Sequence, residues 1–192
     1  RFESEGGPNA YDSLAQGAAQ VPPGSEGCLF LPYLSGERTP HPDPHARGAF
    51  IGLSLRHGLE HMARSVLEGV SFGLNDSLSL MRKLGIDPSN VILTGGGTRS
   101  GLWKQMLCDV FQADCSLVNA KEGAAYGAAL LGAVGVGVFD SVESASDQWI
   151  AETERVTPGE NTKEYQELYS IYGSLYPTLR KTFHSLAERV RE

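Results

Sequence analysis

Three glycines in a row follow three β-favouring apolar residues in the stretch Val91-Ile92-Leu93-Thr94-Gly95-Gly96-Gly97. Consecutive residues without side chains let the backbone approach a ligand where any Cβ would clash. The amides at a following helix start then turn their positive ends toward whatever sits in the turn. A nucleotide is the natural occupant of such a place. The spacing fits neither familiar phosphate loop: G-x-G-x-x-G needs glycine where Ser100 stands, and a P-loop needs Lys then Ser or Thr where Leu102 and Trp103 stand. Taken alone the turn has a plainer explanation, close packing of a strand on a helix, and both stay open at this point.

Other residues able to do chemistry gather between 35 and 47. Glu37, Arg38, Asp43 and Arg47 stand in a proline-rich loop, where they either face a cleft or pair with one another. The expectation is a rigid loop latched by Asp and Arg. His41 and His45 flank Asp43 as metal ligands would, but Pro42 and Pro44 prevent helical i, i+4 geometry, and no metal is expected there. His57 and His61 lack the order H-E-x-x-H, because Gly58 follows His57; they are read as histidines at a helix N-terminus near solvent. Glu122 precedes an alanine-rich helix, where a negative side chain favours the positive helix end. Cys28, Cys108 and Cys115 show no C-x-x-C spacing and lie in or beside apolar runs, which reads as buried free thiols in a reducing compartment.

The elements that position these residues follow from periodicity. Residues 9–20 carry Tyr11, Leu14, Ala15, Ala18 and Ala19 at helical spacing and end at Val21-Pro22-Pro23-Gly24; residues 28–34 and 50–53 read as short strands. From 58 to 84 the positions Leu59, Met62, Val66, Leu67, Val70, Leu74, Leu78 and Met81 recur at three- and four-residue steps, a long helix ended by Gly85. Asp87-Pro88 makes a turn before the strand 91–93, and the helix after the glycines carries Leu102, Met106, Leu107, Val110 and Phe111. A strand over 116–118 and a helix over 122–133 follow, the latter with small residues suited to close packing on a sheet or helix. Residues 142–149 suit a short helix, and 162–191 a tyrosine-rich one kinked at Pro177, its tyrosines forming a packing face. Strands alternating with helices call for an α/β fold, with ligands beyond the C-terminal ends of the strands.

Composition narrows the partners. Across 192 residues, 16 Lys+Arg against 23 Asp+Glu leave a net charge of -7 with no basic stripe, so nucleic acid and anionic membranes are not expected. The longest apolar run, 124–138, is broken by glycines and too short to span a bilayer, and a soluble, cytoplasmic protein is expected. Arg1-Phe2-Glu3 opens the chain without Met, which suggests a piece of a longer protein.

In order along the chain, four pieces resemble the C-terminal domain of the FGGY carbohydrate kinases, of the actin-like ATPase superfamily. They are Phe30-Leu31-Pro32-Tyr33-Leu34-Ser35-Gly36-Glu37-Arg38-Thr39-Pro40; Asp43-Pro44-His45-Ala46-Arg47-Gly48; Gly52-Leu53 through His61-Met62-Ala63-Arg64-Ser65-Val66-Leu67-Glu68-Gly69-Val70; and Thr94-Gly95-Gly96-Gly97 with Glu122-Gly123-Ala124-Ala125-Tyr126-Gly127-Ala128-Ala129. The wording of 36–40 is most similar to the xylulokinase branch of that family, and the gluconokinase branch carries a close variant.

The resemblance implies a single domain over 1–192, an actin-like (ribonuclease H-like) mixed sheet flanked by helices and lacking its first strands. Its motif-bearing part is 27–137 and its C-terminal helix 162–191. It further implies ATP-dependent phosphorylation of a sugar hydroxyl, with Mg²⁺ on the phosphates, in a cleft between two domains. Gly95, Gly96 and Gly97 match the family's adenosine-motif glycines, Ser100 matches a polar position near the adenine, and Trp103 and Gln105 continue that helix as candidates for the pocket wall. The family's catalytic aspartate and phosphate hairpin precede this region and are not found here. The chain alone is therefore expected to bind ATP or ADP without turning over, the sugar being held by a missing N-terminal domain. An open sheet edge is expected to pair with that missing part or with a second copy.

Overall fold

Residues 10–120 and 123–189 are described by the computed structural model of the chain. The order is α1 (Ala10–Ala19), β1 (Leu29–Leu31), β2 (Ala49–Ile51), α2 (Leu59–Lys83), β3 (Asn90–Leu93), α3 (Gly101–Phe111), β4 (Asp114–Val118), α4 (Gly123–Gly135), α5 (Val142–Trp149), β5 (Glu152–Val156) and α6 (Thr162–Ala187). This is the expected α/β arrangement. β1 and β2 form an antiparallel pair, and β3, β4 and β5 form a mixed sheet in that order, β3 parallel and β5 antiparallel to β4. β3 has no strand on its other side among the described residues.

The long helix α2 begins where His61 Nδ1 accepts a hydrogen bond from Gly58 N at 3.1 Å, which satisfies one of the free amides of a helix start. It ends with Gly85 at φ +84 and Ile86 N donating to Met81 O at 3.0 Å, the expected stop. The apolar spacing marks the helix but not its inward face. Leu59, Leu74 and Met81 are exposed, while Arg64, Ser65, Glu68, Ser71, Phe72, Asn75 and Leu78 are buried. Arg64, Glu68 and Ser71 occupy that face through internal bonds, while Asn75 Oδ1 and Glu68 Oε2 stay unpartnered. Arg64 Nε donates to Glu68 Oε1 at 2.9 Å, and its two terminal nitrogens reach Ala18 O, Val21 O and Tyr165 Oη. This buried knot joins α1, α2 and α6.

One apolar core lies between α2, α3, α6 and the strands, built from Leu29, Leu31, Phe72, Met106, Phe111 and Tyr172 with their neighbours. The tyrosines of α6 form the expected packing face: Tyr165, Tyr172 and Tyr176 are buried, and Phe72 lies 5.2 Å from Tyr172, centroid to centroid. α6 runs through Pro177 as one helix. All three thiols are buried and free.

β5 was not anticipated: its sequence Glu-Thr-Glu-Arg-Val is almost wholly exposed and gives no apolar alternation, and the strand is held by backbone pairing with β4 and by an ion pair from Arg155 Nε to Asp114 Oδ2 at 3.3 Å. Of the two partners its small residues suit, sheet or helix, α4 takes the helix. α4 packs on α5, only Leu130 is buried, and Cβ atoms built at Gly123, Gly127, Gly132 and Gly135 meet nothing within 4 Å. Glu122 and Arg191 lie outside the described residues.

Candidate functional site

β3 runs parallel to β4, so the turn after Leu93 and the connection from Val118 to α4 lie at the same end of the sheet. That is the end where ligands of α/β sheets collect. Gly95 has φ +94, a backbone conformation that side chains rarely adopt, and Gly96–Arg99 form a 3₁₀ turn closed by Thr98 N and Thr98 Oγ1 on Gly95 O at 3.2 and 2.8 Å. Ser100 then caps α3, its Oγ accepting from Trp103 N at 3.3 Å.

The three glycines are not equivalent. Gly95 and Gly96 are exposed, and a Cβ built on either meets no atom within 4 Å. Their surface lies open beside the N-terminus of α3, whose partial positive charge favours an anion. At Gly97 a Cβ would clash with Cζ3 and Cε3 at the edge of the Trp103 indole. Of the expected residues, Gly95 and Gly96 are open to solvent, and Ser100 is half-buried with its Oγ engaged in capping α3.

Trp103 and Gln105 are engaged with the interior. Trp103 is half-buried and its Nε1 donates to Ser71 Oγ of α2 at 3.0 Å. Gln105 Nε2 donates to Asp109 Oδ1 at 2.9 Å and Thr157 O at 3.0 Å, and Asp109, itself buried, also accepts Gly159 N at 2.6 Å. These bonds tie α3 to the connection between β5 and α6.

The charged loop after β1 is latched, but not by arginine. Asp43 Oδ2 accepts from Tyr176 Oη at 2.6 Å and His184 Nε2 at 2.8 Å, both on α6, and Oδ1 accepts from His45 N at 2.9 Å. Burial alone would raise this carboxyl, yet the three hydrogen bonds hold it well below the usual carboxylate range. Arg47 instead donates to Pro44 O and Ala46 O within the loop, and Glu37 Oε1 accepts from Arg38 N and Thr39 N. The expected Asp–Arg latch is an Asp–Tyr–His latch, because the partners that fold over Asp43 come from the last helix. His41 stacks on Tyr176 at 3.9 Å between centroids, over a cavity of about 220 Å³ lined by Tyr33, Asp76, Lys83, Tyr169 and Tyr172. Burial pushes the Tyr33 hydroxyl up to about 12.

His57 and His61 stand where expected, at the start of α2. His57 Nδ1 accepts from Ser54 N at 2.8 Å, and His61 lies near the carboxylates of Glu60 and Glu26 at 3.4 and 3.9 Å. Among the described residues no three His, Cys, Asp or Glu side chains come together as a metal site.

Sequence reasoning missed Ser71 as the partner of Trp103, and Tyr176 and His184 as partners of Asp43. No local signal could have found them, since the pairs are separated by 32, 133 and 141 residues.

Comparison with known proteins follows the same lines. The model of the FGGY family of carbohydrate kinases, C-terminal domain, matches residues 2–136. The xylulose kinase of Bacillus subtilis (strain 168) is 37% identical over 177 residues, which are 91% of this chain and 36% of that protein. The gluconokinase of the same organism is 38% identical over 187 residues, 96% of this chain and 36% of that protein. The crystal structure of xylulose kinase from Rhodospirillum rubrum superposes with a TM-score of 0.82 at 33% identity, covering 95% of this chain and 37% of the solved one. The chain thus spans little more than a third of the length of these relatives.

Proposed function

The chain belongs to the FGGY family of carbohydrate kinases, and on that premise we propose that it is the adenosine-holding C-terminal domain of a kinase transferring the γ-phosphate of ATP to a hydroxyl of D-xylulose. Residues 1–192 act in this reading as one domain. The observation that carries it is the open backbone of Gly95 and Gly96 at the C-terminal end of β3, facing solvent beside the capped start of α3. Base and ribose lie against that bare backbone with Ser100 at their edge, Gly97 completing the turn, and Trp103 and Gln105 bordering it from the α3 side.

Phosphoryl transfer depends mainly on positioning and charge neutralisation. This chain's share is to hold and orient the nucleotide, while the sugar pocket and the base belong to the part of the protein that precedes it. Mg²⁺ neutralises phosphate charge when bound. The described residues offer it no cluster of ligands, so no step is assigned to them through the ion. The unpaired side of β3 supports association with that preceding part or, in its absence, with a second copy.

Xylulose is favoured by the similarity to xylulose kinases; the 38% identity to a gluconokinase makes gluconate the second reading, ahead of ribulose and glycerol. Calorimetry with ATP and ADP on the full-length protein tests the site, with Gly96→Asp expected to abolish nucleotide binding in a folded protein. Unchanged affinity in that variant refutes the assigned surface, and nucleotide binding without turnover of any sugar by the full-length protein points instead to a non-catalytic actin-like binding module. A substrate panel with D-xylulose and gluconate decides the sugar, and equal turnover of both rejects the narrower assignment.

A further inference from the structure

Gly97 is glycine for a reason that differs from its two neighbours. Gly95 has a positive φ, whereas the torsion at Gly97 lies outside the left-handed region and any residue can adopt it. What excludes a side chain at Gly97 is the indole of Trp103, which fills the space a Cβ would take. That indole is itself held by its Nε1, which donates to Ser71 Oγ at 3.0 Å, while the backbone N of Trp103 donates to Ser100 Oγ at 3.3 Å as the cap of α3. Ser71 is fully buried and donates its own proton to Leu67 O at 2.8 Å, so its oxygen is aimed at the indole by the backbone of α2. A rigid chain of contacts therefore runs from α2 through Ser71 and Trp103 to the underside of the glycine turn.

We propose that Trp103, braced by Ser71, is a positioning residue for the nucleotide: it supports the Gly95–Gly97 turn from below and sets how tightly the turn holds adenosine, without touching it. This rests on the nucleotide-binding reading of the turn. The alternative, an indole that stacks on the base, has less support, because the Cζ3–Cε3 edge lies against Gly97 and the N–H is held by Ser71. A stacking tryptophan would also tolerate loss of its N–H. A bracing one does not.

The test measures ADP affinity on the full-length protein at a temperature where every variant is folded. Ser71→Ala and Trp103→Phe each remove the brace while leaving the aromatic wall or its partner in place. Each is expected to weaken ADP about three- to tenfold, the loss of one buried hydrogen bond, and the double variant is expected to be no weaker than either alone because both break the same contact. Gly97→Ala is expected to weaken ADP more than tenfold, and adding Trp103→Leu to restore part of that loss by freeing space for the methyl. In a full-length protein that keeps Trp103 and has its other tryptophans, Trp149 among them, replaced by Phe, the emission of Trp103 is expected to be little quenched by ADP.

Folded Ser71→Ala and Trp103→Phe proteins with wild-type affinity overturn the proposal, as does strong quenching of Trp103, which would put the base on the indole. A role confined to stability would lower the denaturation midpoint and leave affinity unchanged. Wild-type protein that binds no ADP overturns the nucleotide site itself, a result distinct from intact binding that ignores the brace.

Discussion

Tyr176 Oη donates to Asp43 Oδ2 at 2.6 Å, joining the charged loop after β1 to the last helix across 133 residues of sequence. With His184 on the same oxygen, the buried carboxylate is held in its charged form. Its acidity is depressed relative to the unfolded chain, so its contribution to stability is fully present above the ordinary carboxylate value near 4 and is lost as pH falls through the lower folded value. Asp43→Asn is expected to cost about 1–3 kcal/mol at pH 7. The gap between wild type and variant should narrow between about pH 5 and pH 2. Urea denaturation at several pH values measures it, and a gap that does not change with pH refutes the charged latch.

The latch also shows what the sequence can and cannot disclose. Asp43 stood out as a latch residue, but arginine was the expected partner because Arg38 and Arg47 are its neighbours in sequence. Tyr176 and His184 are brought to it only by the packing of α6. The long helix α2 was legible in its apolar spacing, while its buried face was not. Arg64, Glu68 and Ser71 lie outside the apolar series, and their burial is explained by partners distant in sequence, Ala18, Val21, Tyr165 and Trp103. β5 was invisible because backbone pairing, not side-chain burial, holds it. The glycine turn was found from three letters, yet which glycines face outward depends on where one indole comes to rest.

Glu68 is fully buried and its Oε2 has no hydrogen-bond partner, while Oε1 accepts from Gly24 N and Tyr165 Oη; Arg64 supplies the one positive charge paired with it. Burial raises this carboxyl against the pull of Arg64. Arg64→Met should therefore cost about 3–5 kcal/mol by stranding the charge. The loss should shrink as pH falls, because a carboxyl whose folded pKa is raised favours the protonated native state. Arg64→Met/Glu68→Gln is expected to be more stable than Arg64→Met alone. Equal stability of single and double variants at neutral pH would contradict this account.

The glycine turn predicts an unequal series in thermal denaturation. Gly96→Ala should fall within about 0.5 kcal/mol of wild type, since its Cβ enters open space. Gly95→Ala should cost about 1 kcal/mol or more through its positive φ. Gly97→Ala should cost about 1–3 kcal/mol by overpacking against Trp103. A uniform effect across the three would show that the turn relaxes as a unit.

Cys28, Cys108 and Cys115 are each 0% exposed, so the native protein should react with Ellman's reagent only at the rate of its own opening. All three should titrate at once in denaturant. Rapid native reaction of even one thiol would mean that the core around α3 and β4 opens far more readily than its packing implies.

The two borders of the mixed sheet differ in kind. β5 presents Glu152, Glu154 and Arg155, charges that repel an approaching strand, whereas β3 presents Asn90, Val91, Ile92 and Leu93 with nothing alongside among the described residues. Growth of a fibre needs two receptive borders per molecule, and this sheet has one. A single added strand would satisfy the open border of β3 among the described residues, and strand addition there would not propagate.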